Sequence, residues 1–184
     1  MIKISGILAS AALAGSLMAQ DNRLSAVLEV ALPMGDWADF VGVGFGATLG
    51  CEIPVGDNLG LIANAGYIGF KDKHIFRLVT VRGEGSSVIP IQVGGKYYFK
   101  DQQEGAYLGL LTGMHLFLYP LFDSDTNFGI APLLGYMVTE NIDIGLRYQM
   151  LFAKQGTVVV TTGWTGEEET VISSYVGVRI AYVF

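Results

Sequence analysis

Charge is scarce in this chain. Charged residues make up 15% and hydrophobic ones 51%, with a mean hydropathy of +0.45. An ordinary soluble domain carries about 25% charged residues, and this composition argues against one. Cysteine is nearly absent. The one thiol, Cys51, cannot close an intramolecular disulfide. It does not follow the N-terminal segment, so it is not a lipid-attachment cysteine, and it reads as a small apolar side chain on a strand. With only two histidines besides, neither a metal cluster nor another cofactor is expected. The formal net charge of −6 argues against nucleic acid as a partner. Long hydrophobic runs are missing too. After the first twenty residues, none reaches the roughly 20 apolar residues that a membrane helix needs.

What is present is glycine, 25 residues of it, and short apolar segments spread along the chain. A closed β-barrel can cross a membrane with such segments, because its strands satisfy one another's backbone groups. The N-terminus "MIKISGILASAALAGSLMAQ" has Lys3, an apolar stretch over residues 7–17 and small residues before Gln20. It reads as a secretory signal peptide, residues 1–19, cut after Ala19 to leave a mature domain of residues 20–184. Leu17 stands where a small residue is preferred, three places before that cut. An N-terminal transmembrane anchor is the rival reading, disfavoured by a short core rich in Ala and Ser.

Period-two alternation marks eight strand-like segments in the mature chain. They cover residues 23–32, 41–53, 59–70, 88–99, 107–118, 127–138, 142–152 and 174–184. The seventh is the cleanest, with Ile142, Ile144, Leu146, Tyr148, Met150 and Phe152 against Asp143, Gly145, Arg147 and Gln149. Connections alternate in length. "PVGDN", "KDQQEG" and "TEN" are short; the joins after strands one, three, five and seven are longer. Short turns on one rim and long loops on the other suit an outer-membrane barrel, with the short-turn rim periplasmic. Pro90 and Pro132 lie inside strands and each removes a ladder hydrogen bond, so a bulge or a locally broken ladder is expected at each. A lipocalin-like soluble barrel shares the strand count. It would place polar residues outside. Here the nearly uncharged parity suits lipid, and aromatics near the strand ends (Tyr97, Phe99, Tyr182 and Phe184; Tyr67, Phe128 and Phe152) suit the two interfaces.

Signal segment, alternating strands, turn rhythm and a terminal "RIAYVF" resemble the small eight-stranded outer-membrane β-barrel proteins of Gram-negative bacteria. The resemblance covers essentially the whole mature chain and is architectural. It implies an all-β fold, an eight-stranded antiparallel up-and-down transmembrane β-barrel. It implies a monomer reached through the periplasm, in contact with the lipid bilayer and lipopolysaccharide. It also implies that a last strand ending in an aromatic is read by the barrel-assembly machinery, with Tyr182 and Phe184 in the aromatic places. The family's usual glycine five residues before the end falls on Arg179, with Gly177 two residues earlier.

The inward parity carries Glu29, Glu52, Lys96, Asp143, Arg147 and Arg179, three acids and three bases. All but Glu29 are expected in the periplasmic half, where Lys96, Arg147 and Arg179 would neutralise Glu52 and Asp143. A narrow barrel is filled by its side chains, so a satisfied polar plug outweighs a gated ion path. Ile68, Val88, Leu111, Phe117, Leu133 and Leu151 point inward in the outer half and form a candidate apolar pocket. Plain packing outweighs a ligand site there. Enzymes occur among small barrels. Lipid A deacylases place a Ser two residues after a His, but His74 and His115 are each followed there by Phe. A palmitoyltransferase-like set could draw on His74, Asp123 and Ser124, yet loop Asp-Ser pairs are common turn formers.

The chain is therefore expected not to be an enzyme. It reads first as an outer-membrane barrel with a structural or surface-interaction, adhesion-like role. A narrow channel or carrier for small hydrophobic molecules is the alternative, and an outer-leaflet lipid A-modifying enzyme a remote one. The loops "KHIFRLVTVRGEGSS" and "GTVVVTTGWTGEEET" are dense in strand formers and turn residues and are expected to project as hairpins. Their edges could pair with an extracellular protein ligand. Glu167, Glu168 and Glu169 at one tip would steer a basic partner.

Overall fold

Alternation begins at Arg23 and builds the whole wall. The computed structural model describes residues 22–72, 86–118, 125–155 and 169–184. Eight strands follow one another: β1 (Arg23–Met34), β2 (Val41–Pro54), β3 (Leu59–Asp72), β4 (Ser87–Lys100), β5 (Glu104–Leu118), β6 (Asp125–Thr139), β7 (Ile142–Gln155) and β8 (Glu169–Val183). A one-turn helix, α1 (Trp37–Phe40), lies between β1 and β2, and a 3₁₀ turn (Asp101–Gln103) joins β4 to β5. Each strand pairs antiparallel with its sequence neighbours, and β8 closes on β1 from Ser25↔Val183 to Met34↔Ser174. The result is an all-antiparallel up-and-down β-barrel of eight strands, as the alternation predicts. All eight expected segments are strands, and most run a few residues further. β7 and β8 stay paired out to Gln155↔Glu169.

Period two separates the faces. Leu28, Phe45, Leu49, Val93, Leu110, Leu134, Ile144 and Ile180 stand exposed on the outside. Val27, Ala31, Ile68, Val88, Leu111 and Leu151 are buried inside. An outer wall of exposed large apolar side chains is the reverse of a soluble barrel. Aromatics pair at the strand ends. Tyr97 meets Phe99 with centroids 5.8 Å apart, Tyr182 meets Phe184 at 5.1 Å, and Phe128 stacks on Phe152 at 6.4 Å. Cys51 lies half-buried in the wall.

Both prolines break a ladder, and neither makes a bulge. On the β3 side of β4, pairing stops at Ala65↔Ile91 and resumes at Ile68↔Val88 in the same register. On the β7 side of β6, it stops at Ile130↔Met150 and resumes at Leu133↔Arg147. The opposite sides stay paired through Pro90↔His115 and Leu110↔Pro132. Each proline thus turns its missing N–H toward one neighbour only. Side chains link the strands beside the gaps. The Tyr67 and Ser87 hydroxyls bond at 2.5 Å, and Gln149 Nε2 donates to the Ile130 carbonyl at 3.4 Å. The register shifts that do occur fall at strand ends, between Val41 and Gly44, Tyr98 and Lys100, and Met137 and Thr139.

Candidate functional site, the filled lumen

Inward parity on eight strands brings the lumen's polar groups together in layers. At the short-turn end, the 3₁₀ turn folds over the mouth. Gln103 is buried there; its N–H donates to the Asp57 carbonyl at 3.2 Å and its Nε2 to the Leu59 carbonyl at 3.3 Å. Arg23 Nη1 donates to the Gln103 carbonyl and Nη2 to the Gln102 carbonyl, each at 3.2 Å.

The next layer is ionic. Lys96 Nζ lies 3.0 Å from Glu52 Oε2 and 3.4 Å from Asp143 Oδ2. Tyr98 donates its hydroxyl to Glu52 at 2.7 Å, and Tyr107 donates to both Asp143 oxygens at 2.9 Å. The Lys96 ammonium also stands 4.6 Å from the Tyr107 ring centroid. Each charge therefore has an opposite charge and a hydroxyl or ring beside it, which offsets its desolvation.

Above it, Arg147 grips Glu29. Nη2 lies 2.7 Å from Oε2, and Nε donates to Oε1 at 3.1 Å. Its other donors go to Gln92 Oε1 at 2.9 Å and the Tyr175 hydroxyl at 2.8 Å. Gln92 Nε2 passes the chain on to Gln149 Oε1 at 3.0 Å. Arg179 Nε stands 4.0 Å from Glu29 Oε2. Gly177 makes this layer fit, since a Cβ there would fall on the Glu29 carboxylate. The outer end is aromatic. Trp37 of α1 packs on Phe70, Phe117 and Tyr175 with centroids 5.0, 6.5 and 6.3 Å away. Tyr175 links the layers, with its ring against Phe70 and its hydroxyl on Arg147.

All six predicted charged residues are in the lumen, but their pairing differs from expectation. Glu29 is not apart from the rest. It is the partner of Arg147, which does not pair with Glu52 or Asp143. The long guanidinium reaches past β8 to β1, the next strand but one, a direction that parity cannot give. The apolar set divides as well. Ile68, Val88, Phe117 and Leu151 form the outer cluster with Ala31, Val41, Phe70 and Tyr175. Leu111 and Leu133 belong instead to a second cluster with Tyr98, Tyr107, Ala131, Met137 and Val183. Barrel shear carries them below the outer end. His115 is fully buried inside the barrel, away from any surface where a lipid substrate could meet it. His74, Asp123, Ser124, Glu167 and Glu168, the bulk of both projected hairpins and the signal peptide lie outside the described residues, as does the Glu169 side chain. Tyr98, Tyr107, Tyr175 and Gln92 were legible by parity, as they share it with Lys96, Leu111 and Arg179. Trp37 had no periodic signal. Among the described residues, no group of three or more His, Cys, Asp or Glu could hold a metal ion.

No family model matches the chain, and no curated protein matches it in sequence. Solved structures do match in shape. The N-terminal β-barrel domain of Pseudomonas aeruginosa OprF aligns with a TM-score of 0.56 at 13% identity, over 90% of this chain and 98% of that one. This chain has the fold of a small eight-stranded outer-membrane barrel. Neisserial surface protein A aligns at 0.52 with 16% identity, over 89% of this chain and 97% of that one. The Yersinia pestis outer membrane protein Ail, in a phospholipid bilayer nanodisc, aligns at 0.52 with 14% identity, over 89% of this chain and 100% of that one. At such identities these likenesses speak to the barrel and its strand order.

Proposed function

We infer that the protein is a non-enzymatic outer-membrane barrel with a structural or surface-interaction role. The lumen carries this reading: paired charges and packed rings occupy it in successive layers, and the cavity beside Lys96, Glu52 and Asp143 measures 20 Å³. That is about the room one water needs, and no path for solutes. A carrier of hydrophobic molecules would need space at the outer end, where Trp37, Phe70, Phe117 and Tyr175 fill the barrel. The apolar outer wall and the leading signal segment support an outer-membrane location. A closed barrel of this kind resists detergent, so the folded protein should run faster on a gel unboiled than boiled, and should fractionate with the outer membrane. Recovery in the soluble periplasmic fraction would overturn the location.

Binding is assigned to the long-loop rim. One structural neighbour is by name a surface protein, and Ail is by name an attachment invasion locus protein. The strands of this chain lead into two long connections, residues 73–86 and 156–168, on that rim. Trimming both to short turns should leave gel mobility unchanged and abolish binding to host-cell or matrix protein. A trimmed barrel that binds as well as the parent would remove the site from the loops.

A further inference from the structure

The short-turn mouth carries a strained latch. Gln102 and Gln103 adopt φ of 61° and 58°, and Gly105 follows at 71°. Glycine takes the left-handed region readily, but two consecutive glutamines do not, because their Cβ atoms crowd the carbonyl oxygens. Such outliers persist only where the surroundings over-determine them. Here the restraints are the four hydrogen bonds from Arg23 and Gln103 described above, tying the turn to the start of β1, to Asp57 between β2 and β3, and to the start of β3. Both acceptors of the Arg23 guanidinium are neutral backbone carbonyls, weaker partners than a carboxylate.

Arg23 also separates two spaces. Outside it lies a vestibule of 620 Å³, walled by Lys100, Gln102, Glu104, Glu140, Asn141 and others. Inside it lies the 20 Å³ cavity with Glu52, Lys96 and Asp143 on its wall. Arg23, Met137 and Val183 line both, so they form the partition. Met137 and Val183 are buried members of the lower apolar cluster, whereas Arg23 is a half-buried side chain held at its tip.

We propose that Arg23 is the door of a gate on the short-turn side, latched by the Gln102–Gln103 turn, and that its release admits water and small ions to the Lys96–Glu52–Asp143 layer. The closed state is the one described. The open state keeps the barrel wall and loses the two carbonyl bonds of Arg23. This gate goes beyond the structural reading and stands independently of what the outer loops bind.

Thiol accessibility tests it. Ala181 lines the inner cavity and is 5% exposed, so Ala181→Cys in a Cys51→Ala background places a small reporter behind the door. A water-soluble methanethiosulfonate cation is applied to the purified barrel in lipid vesicles. Arg23→Ala should speed labelling at least about tenfold, the inverse of the fraction of time the latched door stands open. Gln102→Gly should act in the opposite direction. It relaxes the left-handed strain, favours the latched turn and slows labelling by about fivefold. A thiol at the outer end, from Ala31→Cys, should react equally slowly in all three barrels. Equal labelling at position 181 with and without Arg23 would overturn the gate. So would faster labelling at both positions, which marks general loosening, or faster labelling with Gln102→Gly.

Discussion

Arg147→Ala is expected to destabilise the folded barrel by about 3–5 kcal/mol, the cost of stranding one partner of a buried ion pair. Arg147 is 1% exposed and Glu29 3% exposed, so water cannot replace the lost guanidinium. Arg179 Nε, at 4.0 Å, is too far to make up for a partner at 2.7 Å. Gln92 Oε1 and the Tyr175 hydroxyl lose their donor in the same step. Arg147→Lys should recover part of the loss, since an ammonium restores the charge but not the fork of donors that serves Glu29, Gln92 and Tyr175 together. Replacing Glu29 and Arg147 together by Leu should recover more than either change alone, because no unpaired charge remains. The urea midpoint of the gel-mobility transition measures all three. An unchanged midpoint for Arg147→Ala would mean that Glu29 does not depend on this guanidinium, and the layered plug would lose its keystone.

The second large effect belongs to the tail. Tyr182→Ala with Phe184→Ala should reduce outer-membrane yield severalfold and raise envelope stress, while the purified variant still folds in detergent. The two rings are 52% and 72% exposed and pack on each other at 5.1 Å, so the lumen does not depend on them. The backbone bond from the Phe184 N–H to the Leu24 carbonyl, at 2.8 Å, survives the substitution. Loss of yield without loss of detergent folding would support the proposal that an assembly machinery reads the tail, since stability is then unchanged. Normal yield would place the recognition signal elsewhere, in keeping with the lumen-facing Arg179 where a glycine is usual.

Legibility followed the physics of each feature. Alternation with period two is local, so all eight strands and both faces could be read from Arg23 to Phe184. The prolines announced their own gaps, because the missing N–H is a property of the residue. Which charges pair inside the lumen could not be read. Whether Arg147 meets Glu29 or Asp143 depends on shear and on the reach of a long side chain. The same shear moved Leu111 and Leu133 into the lower cluster. The Trp37 lid lies on a single helical turn with no periodicity. The short join "KDQQEG" was legible as a turn, but the left-handed backbone at Gln102 and Gln103 was not, since glutamine does not favour that region.

The two proline gaps divide the wall. β4, β5 and β6 are joined to one another by ladders that run unbroken past both prolines. The interruptions fall on either side of them, at β3–β4 and at β6–β7. The barrel is therefore two panels, one of three strands and one of five, meeting along two seams. Each seam is interrupted at its proline and carries a side-chain link beside the break, Tyr67 with Ser87 on one and Gln149 with the Ile130 carbonyl on the other. Lateral pressure from the surrounding bilayer would flex such a cylinder along these lines first, changing its cross-section from round toward oval while leaving each panel rigid.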